Sequence, residues 1–448
     1  MKLNCNELNE YFEKNGVNLD IYSNDINEIF KKYLEDLNKL KIFLEYVVEE
    51  NIEDLDLNIK VESENYPLLQ ACQYNDIEIV NLLIKYANRN DIILKLNDKD
   101  KNGKYPLLLA CYKNIIDLVR LLINYANENN ITLKLNEKDK SGWYPLLWAC
   151  NNNNIEVVHL LIDYDNDNAN NNNNANDNNF RLKVNEKDES KHYPLLWACY
   201  KNNIKMVKLL IDYANDNNIR LKVNEKDNGG DYPLLSACYK NNIEMVQLLI
   251  DYANNINSND NNFRLKVNEK DNGGNYPLLS ACYKNNYEMV QHLIDYANKN
   301  NIILELNEKD NNGHYPLYLA CLNDNIKIIQ LLIEYANKKD IVLKLNDKNK
   351  DEKYPLLLAC YKNNIEMVKL LTGYANDNNI RLEVNGKDNN GHYPLYSACY
   401  NDNIEIIQLL IEYANKKDII LNLNDKNKEK NIHFYWLVIK IILKWFNY

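Results

Sequence analysis

The groups in this chain able to attack a carbon, shuttle a proton or hold a metal are ten cysteines, six histidines and 64 carboxylates. Their spacing argues against each of these uses. Nine of the ten cysteines stand five residues after a proline, in the pattern Tyr-Pro-Leu-(Leu/Tyr)-x-Ala-Cys, and no two are spaced as CxxC. Tetrahedral zinc is therefore unsupported, and an even, one-per-recurrence distribution is no disulfide framework. A small buried thiol packing much as alanine does accounts for them. Serine and threonine together number only ten, and neither GxSxG nor a GKS/T phosphate loop occurs. His192, His314 and His392 each precede a Tyr-Pro pair in separate recurrences, too far apart to share a metal. They read as solvated side chains of a turn. The acidic turn at 346–351 suggests calcium only superficially, since its lysines and missing final glutamate spoil an EF-hand loop. We expect no enzyme, no metal and no cofactor.

What remains is contact chemistry. The x of the recurring pattern is Gln70, Leu109, Trp148, Trp197, Ser236, Ser280, Leu319, Leu358 and Ser397, and Tyr-Lys often follows the cysteine. Three of the five tryptophans, Trp143, Trp148 and Trp197, thus gather in the third and fourth recurrences. Aromatic anchors flanked by lysine suit a protein partner with acidic and apolar groups. The candidate contact residues are Trp143, Trp148, His192, Trp197, Tyr200, Lys201, Tyr239 and Lys240. Large residues at x that simply pack between neighbours are the competing reading. Stacking of a single-stranded nucleic acid on the tyrosines is disfavoured by the net charge of -11.

The elements that must position these residues follow from a period. Tyr-Pro recurs at Pro67, Pro106, Pro145, Pro194, Pro233, Pro277, Pro316, Pro355 and Pro394, at intervals of 39, 39, 49, 39, 44, 39, 39 and 39. Such self-similarity marks a solenoid. Within 226–264, Asp227-Asn228-Gly229-Gly230 is turn chemistry, and Pro233 suits the first turn of a helix. That short helix ends near Asn241-Asn242, where asparagine tolerates a left-handed backbone. A second helix carries Met245, Val246, Leu249, Ile250 and Ala253 at helical spacing. An alternating arm such as Ile219-Arg220-Leu221-Lys222-Val223 reads as half-buried extended chain. One such helix pair cannot bury its own apolar face, so neighbours must cover it.

This pattern resembles the ankyrin repeat. The family's Thr-Pro-Leu-His-x-Ala-Ala block corresponds to Tyr232-Pro233-Leu234-Leu235-Ser236-Ala237-Cys238, and its second helix to Met245-Val246-Gln247-Leu248-Leu249. The family's interhelical glycine corresponds to Asn241 or Asn242, and its arm and hairpin to Lys222–Gly229. The resemblance implies an all-α, ankyrin-type solenoid of stacked helix-turn-helix pairs with short β-hairpin-like arms. It also implies partner binding along a concave face of hairpin tips and first helices. The period exceeds the family's ~33 residues, and the added residues, as in Asp212–Leu221, are expected to lengthen the second helix and its exit. Tyrosine in place of threonine loses a helix-capping hydroxyl, ~0.5–2 kcal/mol per helix, for which stacking of tyrosines between neighbours is expected to compensate.

Length alone, 448 residues, suggests about three domains, but the repeats argue for one array. The expected organisation is an N-terminal helical segment with a degenerate capping repeat over 1–59, nine ankyrin-like repeats over 60–424, and an apolar capping helix over 425–448. Ile432–Tyr448 is too short and too charged, through Lys440 and Lys444, to span a membrane. The excess residues, in Asp165–Asn179 and Asn254–Asn262, are Asn-rich and expected to be disordered surface loops. The opening MKLNCNELNEYFEKNG lacks the apolar stretch of a secretory signal, so a cytoplasmic location is expected. We therefore expect a monomeric, non-catalytic scaffold for a protein partner. The alternatives are a regulatory or targeting subunit docking on an enzyme, or an amphitropic protein using Ile432–Tyr448 at membranes.

Overall fold

A computed structural model of the protein describes residues 3–18, 23–60, 65–171, 181–257 and 263–422. The expected apolar helix at 425–448, with its capping or membrane role, lies outside the described residues, as do the central parts of the two inserts. Among the described residues the chain forms 21 α-helices and no strand. It divides into two units, Met1–Lys222 and Val223–Tyr448.

The first unit begins with α1 (Cys5–Lys14), α2 (Ile26–Tyr33) and α3 (Leu37–Glu49). Four helix pairs follow: Pro67–Tyr74 with Ile77–Arg89, Pro106–Tyr112 with Ile116–Glu128, Pro145–Asn151 with Ile155–Asn171, and Pro194–Tyr200 with Ile204–Asp216. The second unit carries five, with first helices starting at Pro233, Pro277, Pro316, Pro355 and Pro394. Within each unit, first helix packs on first helix and second on second; α3 packs against Ile77–Arg89.

Each first helix starts because proline fixes its own φ and forces its predecessor to be extended; Tyr232 lies at φ -147°, ψ 165°. No tyrosine side chain caps the helix it precedes, as the loss of the threonine hydroxyl anticipates. Compensation comes by a route other than the expected ring stacking. The tyrosine is fully buried, and its hydroxyl donates to carbonyls of the arm that leaves the same repeat: Tyr105 Oη lies 2.6 Å from Lys134 O and 3.2 Å from Glu137 O. A second tyrosine, in the long helix of the next repeat, also holds that arm. Tyr164 Oη accepts from Leu133 N at 2.9 Å and donates to Ile131 O at 3.1 Å.

The turn between helices resolves the two asparagines into two jobs. Asn241 takes the left-handed conformation (φ 59°) that ends the first helix, while Asn242 Oδ1 caps the second by accepting from Met245 N at 2.9 Å. The typical second helix has 13 residues, Ile204–Asp216 for example, and buries Met206, Val207, Leu210, Ile211, Tyr213 and Ala214. The added length of the period thus runs through its last turn and out along the exit.

The arms alternate as expected: Leu304 and Leu306 are buried while Ile303 and Glu305 face out. In place of strand pairing, an asparagine side chain from one arm completes the next one. Asn307 Nδ2 donates to Val342 O at 2.8 Å and its Oδ1 accepts from Lys344 N at 3.0 Å. Asn97, Asn136, Asn224, Asn268 and Asn346 repeat this two-bond rung. Lysines add ion pairs between successive hairpins, Lys99 to Glu137 at 2.7 Å and Lys270 to Glu308 at 2.7 Å. The lysine hydrogen bond holds each glutamate below its ordinary pKa.

The inserts begin as helix rather than loop. The long helix of the third repeat continues through Asn171, and that of the fifth through Asn257. Asp165, expected to open a disordered loop, is buried where other repeats have alanine. Its carboxylate accepts from Tyr213 Oη at 2.7 Å and Leu182 N at 3.0 Å, holding the arm beyond the insert. Burial pushes its pKa up against these bonds and the nearby Arg181.

Candidate interaction face

In the second to fourth repeats three positions come together: the residue before Tyr-Pro, the x residue, and the residue after cysteine; at x only Trp148 and Trp197 are half-buried, while in the other seven repeats x packs into the interior. The first is set by the hairpin. Asp139 Oδ1 accepts from Ser141 N at 2.9 Å and Trp143 N at 3.0 Å, and Asp139 N donates to Trp143 O at 2.8 Å, fixing where the indole starts. Gly142 (φ 82°) lets this hairpin lie against the next, since a Cβ there would come within 2.9 Å of Asp188 Cα. Asp188 repeats the turn for His192, accepting from its backbone N at 2.8 Å and facing its ring Nδ1 at 3.1 Å. Trp148 and Trp197 project from the middle of rigid first helices, and Tyr112 and Tyr200 from helix ends.

The result, wholly within the first unit, is a continuous aromatic cluster. Trp143 stacks on Trp148 with centroids 3.9 Å apart and planes at 21°, and lies 6.1 Å from Trp197. Tyr112 meets Trp148 edge-on at 4.6 Å, while His192 at 4.7 Å and Tyr200 at 5.6 Å flank Trp197. Lysines sit over both ends: Lys104 Nζ is 4.5 Å from the Tyr112 centroid, and Lys201 Nζ is 5.4 Å from that of Trp197. Trp143, Trp148 and Trp197 are half-buried; Tyr112 and Tyr200 are exposed. The indole Nε1 atoms of Trp148 and Trp197 are buried without any acceptor.

Six of the eight candidate residues are brought together here. Tyr239 and Lys240 belong to the second unit, where Tyr239 is exposed and the Lys284 ammonium lies 4.5 Å over its ring. Lys104 was missed, although it fills the same place before Tyr-Pro as Trp143 and His192; that shared position is the signal that finds it. The histidines are not the solvated turn residues expected. Each is half-buried against an aspartate, with His314 Nδ1 3.0 Å from Asp310 Oδ2 and His392 Nδ1 3.4 Å from Asp388 Oδ2. His314 and His392 also stack on Tyr318 and Tyr396 at 5.3 and 5.4 Å. Among the described residues no cluster of histidine, cysteine and carboxylate is able to hold a metal. The nine repeat cysteines are buried free thiols, and burial pushes every one well up in pKa, Cys399 to about 12.

A family model described as "Ankyrin repeats (3 copies)" matches residues 30–134, 176–262, 261–347 and 335–425. The chain belongs to the ankyrin repeat family. A second model, "Ankyrin repeats (many copies)", matches 107–162, which spans Tyr112, Trp143 and Trp148. No curated protein matches the chain. Among solved structures, the ankyrin repeat domain of Bcl-3, described as a unique member of the IkappaB protein family, is 18% identical with a TM-score of 0.38. That alignment covers 58% of this chain and 95% of the other. Ankyrin repeats make the chain a protein–protein interaction scaffold, built on a fold that is typically non-catalytic. Among the described residues no helix is long and apolar enough to cross a membrane.

Proposed function

We propose that this ankyrin repeat protein is a non-catalytic scaffold that binds a protein partner over the tryptophan face of its second to fourth repeats. Trp143, Trp148 and Trp197 anchor the contact, with His192, Tyr200 and Lys201 at its edge. Tyr239 and Lys240 offer the same post-cysteine chemistry in the second unit. The observation that carries this reading is the half-buried stack of Trp143 on Trp148 beside Trp197, rimmed by exposed Tyr112 and Tyr200 and by Lys104 and Lys201. Hot spots of protein interfaces are rich in tryptophan. The free thiols favour a reducing, cytoplasmic setting.

The test is quantitative affinity capture from native cytosol with the full chain beside a variant carrying Trp143→Ala, Trp148→Ala and Trp197→Ala. Circular dichroism checks that both are folded. A partner captured by the first and lost by the second supports the face. A partner retained by both places the contact elsewhere, and no specific partner at all sinks the scaffold.

A further inference from the structure

The tryptophan face has a chemical sense that narrows what it takes. Resting on the reading of this face as a docking site, we infer that its partner presents an extended acidic segment. The charged groups that stand over the rings of this face are cations. Lys104 and Lys201 stand over its two ends, and exposed Lys113 follows Tyr112. The aspartates beneath it turn Oδ1 inward, onto the backbone N–H groups of their own turns. Asp100 accepts from Asn102 and Lys104 N at 2.8 Å each, Asp139 from Ser141 and Trp143 N, and Asp188 from His192.

Scale points the same way. The rings of Trp148 and Trp197 both lie within 6.1 Å of that of Trp143. Extended chain advances about 3.3 Å per residue, so three or four residues cross the cluster. Apolar groups of such a segment cover the indole rings while its carboxylates reach the lysines. The Nε1 atoms of Trp148 and Trp197 are closed off from solvent, so the segment meets the half-buried ring faces and the lysines at the rim.

Selection of a phage library of random twelve-residue linear peptides on the full chain tests this. Enriched peptides are then made synthetically and titrated by fluorescence anisotropy. The titrations use the native chain, a Trp148→Ala/Trp197→Ala variant and a Lys104→Glu/Lys201→Glu variant, each checked for folding. The expected result is enrichment of aspartate and glutamate, affinity at least about tenfold weaker in the lysine variant, and weakening with added salt. Peptides that need the tryptophans but are basic or uncharged, or acidic peptides indifferent to the lysine changes, overturn the acidic segment and leave the docking face standing. Peptides bound equally by the tryptophan variant overturn the face itself. A library yielding no binder overturns the inference, since a site for extended chain takes linear peptides.

Discussion

At the scale of single residues, two tyrosines per repeat carry more of the structure than their aromatic character suggests. Tyr144 is fully buried, and its hydroxyl donates to Lys183 O at 2.9 Å and Glu186 O at 3.1 Å. Tyr144→Phe keeps the ring and leaves both carbonyls short of a partner. The expected loss is about 1–3 kcal/mol, measured by chemical denaturation against the native chain; no loss means the hydroxyl is idle. The recurrence itself announced that tyrosine precedes every proline. What it does was hidden, because the partners of Tyr144 are backbone carbonyls 39 and 42 residues away, which have no residue-type signature. The cysteines were legible for the opposite reason: their role is burial beside alanine on a helix, which periodicity reveals.

At the scale of elements, the helix pairs follow from the sequence directly, since proline starts, asparagine stops and apolar spacing are all local signals. The arms do not. Their pairing is made by side-chain amides, so neither strand pattern nor hairpin pattern describes it, and abundant asparagine looks like low complexity. Three separate asparagine duties, left-handed turn, helix cap and rung, are concealed in that abundance. Asn307→Ala removes one rung. Its expected effect is about 1–3 kcal/mol of stability and faster hydrogen exchange at the Lys344 amide, which Asn307 Oδ1 otherwise protects. Unchanged exchange at Lys344 contradicts the rung. The tryptophan face was half legible: the recurrence placed the three indoles in adjacent repeats and Lys104 at the shared position before Tyr-Pro, but the stacking of the indoles depends on how the hairpins at Gly142 and Asp188 nest.

At the scale of the whole molecule, burial of so many ionisable groups couples stability to alkaline pH. Burial holds the repeat thiols and Tyr105, Tyr144, Tyr232, Tyr276, Tyr315 and Tyr354 well above their ordinary pKa. A raised folded-state pKa means the unfolded chain loses protons first as pH climbs. Stability is therefore complete below about pH 8.5, the free-thiol value, and erodes as pH passes 9 and then 10. Denaturation midpoints across pH 7–11 check this, and a flat profile refutes it. The same burial predicts thiol reactivity: of ten cysteines only Cys5, outside the repeats and half-exposed, reacts promptly with an aromatic disulfide reagent in the native chain, and all ten react in denaturant.

The asparagine rungs also decide where this chain tolerates change in length. In a regular repeat a rung joins residues 35 and 37 positions apart, as Asn97 does with Thr132 and Lys134. Across the longer insert Asn136 reaches 45 and 47 positions on, and across the shorter one Asn224 reaches 40 and 42, with the same atoms bonded at nearly the same distances. The array counts bonds, not residues. The exit of the second helix is thus a splice point, a place where genetic expansion, a grafted peptide or a protease cut leaves the lacing on either side intact.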